Sequence, residues 1–303
     1  MTGPVVLTGG TGLVGGALLS ALGSGGRELR ALVRQPGRLA GVREILWDGT
    51  TPPAGSLDGA EAVVHLSGEP VFGGLPTAAR RQRLRASRVD STRAFVAALA
   101  ALPEPRRPRS FVCASAVGYY GDRGEQLLDE SAEPGDGFLA DLCVDWEAAA
   151  TEAGRHGVRV CSVRIGVVLS RKGGALPLMA RPFRLGLGGR LGSGRQWFPW
   201  VGLDDLVALL VAALDDPRYS GAVNGVAPEP VRNRELTRAL GHVLRRPTLL
   251  PVPALAVRAA LGELSAEILG SKRVVPRRAR ELGFAFRQAS LEDLLRAELC
   301  ERA

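Results

Sequence analysis

The stretch "TGGTGLVG" (8–15) decides how the rest of this 303-residue chain is read. It follows the apolar run "PVVL" (4–7). It leads into "LVGGALLSALG" (13–23), where apolar residues recur at helical spacing. A buried strand, a glycine turn and a helix, in that order, open a dinucleotide-binding unit. Gly9 allows the tight turn, Gly12 lets the backbone approach a pyrophosphate, and Gly15 lets the helix pack on the strand. The helix start then offers free backbone N–H donors and a favourable dipole to the phosphates. Gly9, Gly12, Leu13, Val14 and Gly15 are therefore the first candidate cofactor contacts.

The next strand, "RELRALV" (27–33), bears on which dinucleotide binds. A site for NAD places Asp or Glu there, on the ribose hydroxyls. This chain has "LVRQPGR" (32–38) instead, with Arg34 at the strand end and Arg38 nearby. A guanidinium in that place pairs with a 2′-phosphate, so the expected cofactor is NADP(H). Further on, "HLSGEP" (65–70) ends another strand, and Leu66, Ser67 and Gly68 offer a low wall for the adenosine and ribose. Arg88 on the following helical segment, from Pro76 to Leu102, is a candidate for the ribose-phosphate region, with Arg83 a weaker one, and Asp48 after the third strand is a weak candidate for the adenine edge.

Strands at 43–47, 60–68, 109–115 and 158–166 alternate with helical segments, including "FLADLCVDWEAAATEAGRHG" (138–157). That alternation predicts an α/β fold: a Rossmann-type doubly wound parallel sheet with a small, mostly helical C-terminal lobe. The expected division is a core over 1–225, with 170–202 contributing to the substrate cleft, and a lobe over 226–303. Ligands in such sheets sit at the carboxyl ends of the strands.

Composition narrows the function classes. The net charge is +8, yet only Lys172 and Lys272 among the 39 basic residues are lysines, and the arginines are scattered. A nucleic-acid face is not expected from that pattern. The densest basic run, "SKRVVPRRAR" (271–280), reads as a solvated turn and helix start. The cysteines (113, 143, 161, 300) and histidines (65, 156, 242) share no metal-ligand spacing. No apolar run reaches bilayer length, and the first residues lack a signal-peptide pattern, so a cytoplasmic protein without membrane contact is expected. The expected partners are the dinucleotide and a small-molecule substrate of unknown identity; a homo-oligomer is compatible with the sequence.

"ASAVGYYGDRG" (114–124) places Ser115, Tyr119 and Tyr120 just beyond an inner strand. Together with "TGGTGLVG", "HLSGEP", "RASRVDST", "WEAAA", "VRIGVVLS", "GGRLGSGRQWFPW", "NGVAPEPVRNREL", "PVPALAVRAALGE", "KRVVP" and "LGFAF", it resembles the extended or atypical short-chain dehydrogenase/reductases. The narrower likeness is to their NAD(P)-dependent epimerase-like branch with a C-terminal domain of unknown function. The resemblance implies NADP(H) binding, a lobe closing over the substrate cleft, and Val168 beside the nicotinamide end.

The wider superfamily reduces carbonyls with a Ser or Thr and a YxxxK pair, the tyrosine moving the proton. Ser115 matches the serine. Counting back from Glu147, the lysine should fall at Cys143 and the tyrosine at Leu139, and no YxxxK occurs anywhere in the chain. Tyr119 and Arg123 have the spacing, but Gly118, Gly121 and Gly124 make their segment a loop. Ser115 and Tyr120 stay as the catalytic candidates. Asp129 and Glu130 are expected near the cleft mouth, Asp204 and Asp205 at a helix start, and Arg195, Gln196 and Trp197 either in a lid over substrate or in a structured connection between the lobes. Gly202 stands where the family often has His. The resulting expectation is an NADP(H)-binding oxidoreductase or epimerase-like protein acting on a small carbonyl or sugar-like compound. The alternative is a non-catalytic NADP(H)-binding sensor or scaffold.

Overall fold

The apolar run ahead of the glycine turn forms β1 (Val5–Thr8), and the periodic segment after it forms α1 (Leu13–Ser24). The structure, a computed structural model, describes residues 3–72, 74 and 77–300. Then come β2 (Leu29–Val33), β3 (Arg43–Leu46), β4 (Ala62–His65), α2 (Ala78–Arg85), a π-helical turn (Ala86–Asp90), α3 (Ser91–Ala101) and β5 (Ser110–Ala116). Pro76, the expected start of the helical segment, lies outside the described residues. Next are β6 (Leu127–Leu128), α4 (Phe138–Thr151), β7 (Arg159–Ile165), β8 (Val167–Ser170), β9 (Gly173–Gly174) and α5 (Ala175–Arg184). Beyond them lie β10 (Trp197–Phe198), β11 (Trp200–Gly202), α6 (Leu203–Asp215), β12 (Gly221–Gly225), β13 (Val231–Arg232) and α7 (Asn233–Leu244). The chain continues through α8 (Ala254–Leu261), α9 (Ser265–Leu269), β14 (Arg273–Val274), α10 (Arg277–Glu281) and α11 (Leu291–Leu299).

Seven strands form one sheet in the order β12-β7-β5-β4-β1-β2-β3. Every pairing in it is parallel. This is the doubly wound Rossmann arrangement, and strand order reverses between β1 and β4. The two-residue period of a strand divides the side chains between two cores. Val5 and Leu7 of β1 pack with Val64, Val112, Leu18, Leu22, Leu206 and Leu210, from α1 and α6, on one face. Val6 packs with Val63, Phe111, Phe95, Leu99 and Trp146, from α3 and α4, on the other. The expected helical segment is realised as α2 and α3 joined by the π-turn that contains Arg88.

A third core joins Leu169, Leu176, Phe183 and Trp200 to Leu236, Leu240, Leu291 and Leu295. The C-terminal helices are thus packed on 169–200 by buried apolar contact. The chain then returns to the sheet. Ala279 of α10 is fully buried among the β1 and α6 side chains. This corrects the solvated reading of 271–280. β14 pairs with β6, and Lys272, Val274 and Ala279 are at most 2% exposed. Pairing to "LL" (127–128) pulls the segment under the loop that follows β5.

One buried chain of hydrogen bonds fixes the switch point. Thr8 Oγ1 accepts from the N–H groups of Leu66 and Ser67, and it lies 2.9 Å from His65 Nδ1. With both acceptances made, the Thr8 proton goes to Nδ1. Nε2 then carries the hydrogen, 3.3 Å from Ser91 Oγ, and Ser91 donates to the Ser87 carbonyl in the π-turn. His65 is fully buried against Phe95 and Phe111.

Burial pushes the His65 imidazole down to about 3, against about 6.5 in an unfolded chain. Below about pH 6.5 the unfolded state takes up a proton that the folded state refuses. Stability should therefore fall as pH drops from 6.5 toward 3, with a slope approaching about 1.4 kcal/mol per pH unit. Urea unfolding at pH 7.5, 6.5 and 5.5 should show that loss in the wild type. His65→Gln, less stable at neutral pH, should show a flatter dependence; equal slopes would contradict the assignment.

Candidate functional site

The glycine turn is held by close approach. Gly9 has φ +75°, and a Cβ there would come within 2.9 Å of the Leu66 carbonyl carbon. A Cβ on Gly15 would come within 2.2 Å of the Gly9 oxygen, so that contact admits only glycine. α1 starts at Gly12 with no side-chain cap and no acidic residue in its first turn. Its first N–H donors are left for a ligand. Ser67 Oγ, beside this turn, is buried without a hydrogen-bond partner among the described residues. Backbone donors, a space only glycine leaves and an orphaned hydroxyl together fit a dinucleotide pyrophosphate and ribose.

The other candidates gather around it. A Cβ on Gly174 would touch Leu13 Cδ2 at 3.0 Å and the Val168 carbonyl oxygen at 3.5 Å, so the β8–β9 hairpin brings Val168 to the glycine turn. Arg88 lies against Gly68, donates to the Glu69 carbonyl at 2.9 Å and stacks on Trp146. Arg34 is exposed one residue past β2, with no ion pair or hydrogen bond to the described residues. Spacing along β2 did not reveal Glu44, on the neighbouring β3. Its carboxylate accepts from the backbone N–H groups of Gly37, Arg38 and Leu39, and these bonds hold it below the usual range. Arg38 is tied to Gln35. Asp48 closes its own turn onto Thr50, and Arg83 is exposed.

Ser115 and Tyr120 meet in a single buried network. Ser115 Oγ donates to Glu147 Oε1 at 2.6 Å. Glu147 of α4 also receives the fork of Arg164, Nε to Oε1 and Nη2 to Oε2, both at 2.9 Å. Arg164 Nη1 reaches the Tyr120 hydroxyl at 2.9 Å, and its guanidinium carbon lies 3.4 Å from the Tyr119 ring centre. The Tyr120 hydroxyl donates to Asn224 Oδ1 at 2.7 Å. Tyr120 has no exposed surface, and burial pushes its phenol above the usual range. Arg123 does not pair with Tyr119; its guanidinium bonds the carbonyls of Tyr120, Glu133 and Pro134. Arg164 was legible only as a charged residue inside a buried strand, a combination that calls for a partner.

The remaining polar candidates bolt the fold. Glu130 accepts from Asn224 N and Arg278 N, and burial raises its carboxyl. Asp129 pairs with Ser131 and Arg277. Asp205 is buried and accepts from the N–H groups of Arg287 and Gln288 rather than capping its own helix. A Cβ at Gly202 would come within 1.9 Å of Gln288 Oε1, so Gln288 fills the space a larger side chain would need. The segment around Trp197 is strapped down: Trp197 Nε1 donates to Glu125, and Arg232 pairs with Glu125 and covers the indole. That ion pair holds Glu125 down to about 2.

A cavity of about 670 Å³ lies beyond the end of β5. Its walls include Gly118, Gly121, the α4 start from Gly137 to Asp141, Arg80, Arg81, residues 263–267 and Lys272. Neither Ser115 nor Tyr120 is part of that lining. Cys143, where the lysine of YxxxK would stand, is buried, and its thiol is pushed up to about 12 by burial. No cluster of metal-ligating residues and no helix long and apolar enough to cross a membrane occurs among the described residues.

The Glu147–Arg164 pair is only 13% and 4% exposed, so breaking it strands a buried charge. Arg164→Leu or Glu147→Leu alone should cost about 3–5 kcal/mol in urea unfolding. The double variant should cost clearly less than the sum; additive losses would show that the two do not act as a pair.

Known proteins match along nearly the whole chain. Residues 5–224 match the NAD dependent epimerase/dehydratase family, and residues 252–298 match a domain of unknown function (DUF1731). The Arabidopsis thaliana "Epimerase family protein SDR39U1 homolog, chloroplastic" is 39% identical, over 97% of this chain and 86% of that protein. The Bos taurus SDR39U1 protein is 39% identical over 93% of this chain and 95% of its own. The crystal structure of human SDR39U1 (isoform 2) with NADPH superposes with a TM-score of 0.88 at 33% identity, covering 97% of this chain and 98% of that one. A Corynebacterium glutamicum nucleoside-diphosphate sugar epimerase gives 0.80 at 36%, covering 99% of this chain and 58% of that one. With this sheet order, this glycine turn and these matches, the chain belongs to the NAD dependent epimerase/dehydratase family.

Proposed function

We propose that this protein binds NADP(H) and works as an oxidoreductase or epimerase-like enzyme on a small molecule that interconverts between hydroxyl and carbonyl. The observation that carries the reading is the exposed Arg34 guanidinium at the end of β2, near the glycine turn and without a partner among the described residues. A 2′-phosphate gives that charge a partner, and a ribose hydroxyl does not. The human relative crystallised with NADPH supports the same choice. Gly9, Gly12, Leu13, Val14 and Gly15 would hold the pyrophosphate. Leu66, Ser67, Gly68 and Arg88 would wall the adenosine side, and Val168 the nicotinamide side.

A bound nicotinamide supplies hydride chemistry. The chain's part is to orient the substrate and handle its proton. Ser115 has committed its own proton to Glu147, so toward a ligand it accepts a hydrogen bond. It suits the hydroxyl side of a hydroxyl–carbonyl pair. Arg164 fixes Glu147 and thereby the serine. The bonded, fully buried Tyr120 serves as the wall behind this group, not as an acid.

One observation favours a second reading, a non-catalytic NADP(H) sensor. Neither Ser115 nor Tyr120 opens on the 670 Å³ cavity. Turnover separates the two readings. NADPH consumed with a panel of aldehydes, ketones and sugar nucleotides supports the enzyme; tight binding without consumption supports the sensor.

Cofactor choice has its own test. Arg34→Ala should weaken NADPH by about tenfold or more, the size of one charge-assisted hydrogen bond of about 1.5–3 kcal/mol, and leave NADH affinity within about twofold. Fluorescence titration of both cofactors reads it. Equal affinities for NADPH and NADH in the wild type would overturn the assignment.

A further inference from the structure

The YxxxK pair is missing, yet the place it would occupy is not without an ionisable group. The tyrosine's position on α4 is taken by Leu139. A methyl group built on Gly118 would lie 3.7 Å from Leu139 Cβ and 3.3 Å from Glu267 Oε1. The Glu267 carboxylate and Leu139 therefore both border Gly118, in the wall of the same cavity. The carboxylate arrives from α9, within the 252–298 segment of unknown function. Lys272 Nζ is 3.2 Å from Glu267 Oε2. Lys272 is 2% exposed, lines the same cavity, and is one of only two lysines in the chain.

Three features separate this pair from a structural ion pair. A buried ammonium is costly unless it is paired, and here a single carboxylate does the pairing. The other Glu267 oxygen, Oε1, has no hydrogen bond to the described residues and points toward Gly118. The pair borders a cavity large enough for a small molecule, whereas the Glu147–Arg164 pair is closed off behind Ser115 and Tyr120.

Resting on the NADP(H)-dependent reading above, we propose that Glu267 is the proton-transfer residue of the cleft and that Lys272 positions it. In the oxidising direction the substrate O–H bond breaks and its proton goes to Glu267 Oε1. The electron pair left behind becomes the second carbon–oxygen bond as the carbon gives up hydride to the oxidised nicotinamide. In the reducing direction the protonated carboxyl returns the proton to the oxygen as hydride arrives at carbon. Carboxylate and ammonium thus do the work divided elsewhere between phenol and lysine, delivered from the C-terminal lobe instead of from α4.

The test uses the full chain with NADPH and a probe panel of short aldehydes, α-keto acids and sugar nucleotides. Glu267→Gln should lower kcat at least about 100-fold, the usual weight of a general acid–base group, with NADPH affinity unchanged within twofold. Lys272→Met should fall similarly, and Lys272→Arg should recover most of the loss. A second readout needs no turnover. Biosynthetic labelling with ε-13C-lysine marks Lys172 and Lys272 whatever their burial, and the Lys272 ε-methylene resonance should shift in Glu267→Gln while that of Lys172 stays. An unmoved Lys272 resonance would overturn the pairing. Equal kcat in wild type and Glu267→Gln, or no wild-type turnover on any probe with NADPH bound, would overturn the proton-transfer role. A wild type that fails to bind NADPH would overturn the cofactor reading instead, and the resonance test would still decide whether the pair exists.

Discussion

The polar end of this molecule is organised by one buried guanidinium. Arg164 stands buried near the end of β7, and burial alone would make its charge prohibitive. The Glu147 fork neutralises it, and the bond network around the pair then dictates its neighbours. Ser115 is turned toward Glu147, Tyr119 lies flat under the guanidinium, and Tyr120 is locked between Arg164 and Asn224. β5, α4, β7 and β12 are tied together at the end where a ligand of this fold binds. The two hydroxyls that look most reactive in the sequence are thereby given structural partners.

At the other side of the switch point the constraint is space. Gly15 lies so close to Gly9 that no side chain fits, and Thr8 holds the next strand's backbone through its hydroxyl. These contacts leave the α1 start open among closely packed neighbours. Arg34, by contrast, has no ion pair or hydrogen bond to the described residues. An open helix start beside such a cation suits the proposed ligand, which carries both a pyrophosphate and a further phosphate.

The fold was almost fully legible because it is written in local patterns. Short apolar strands, a glycine turn and helical periods repeat along the chain, and a doubly wound parallel sheet is the expectation that follows from them. At the dinucleotide end the glycine turn was legible for the same reason, since Gly9, Gly12 and Gly15 are neighbours in sequence. What escaped was non-local. Arg164 and Glu147 lie 17 residues apart, and nothing in spacing announces that they meet. Glu44 reaches the loop after β2 from the adjacent strand. The basic run at 271–280 looked solvated because its charges are conspicuous, yet pairing with a two-residue strand at 127–128 buries Lys272. The absence of YxxxK was readable. The carboxylate that borders the same cavity, Glu267, was not, because it belongs to a lobe whose docking no local pattern encodes.

A crystal structure of the full chain with NADP⁺ tests whether a cofactor with a 2′-phosphate meets a substrate cleft served by the C-terminal lobe. The expected result is the 2′-phosphate on Arg34, the pyrophosphate on the first turn of α1, and the nicotinamide ring open to the cavity lined by Glu267 and Leu139. An adenosine ribose turned away from Arg34, or a nicotinamide walled off from Glu267, would contradict it.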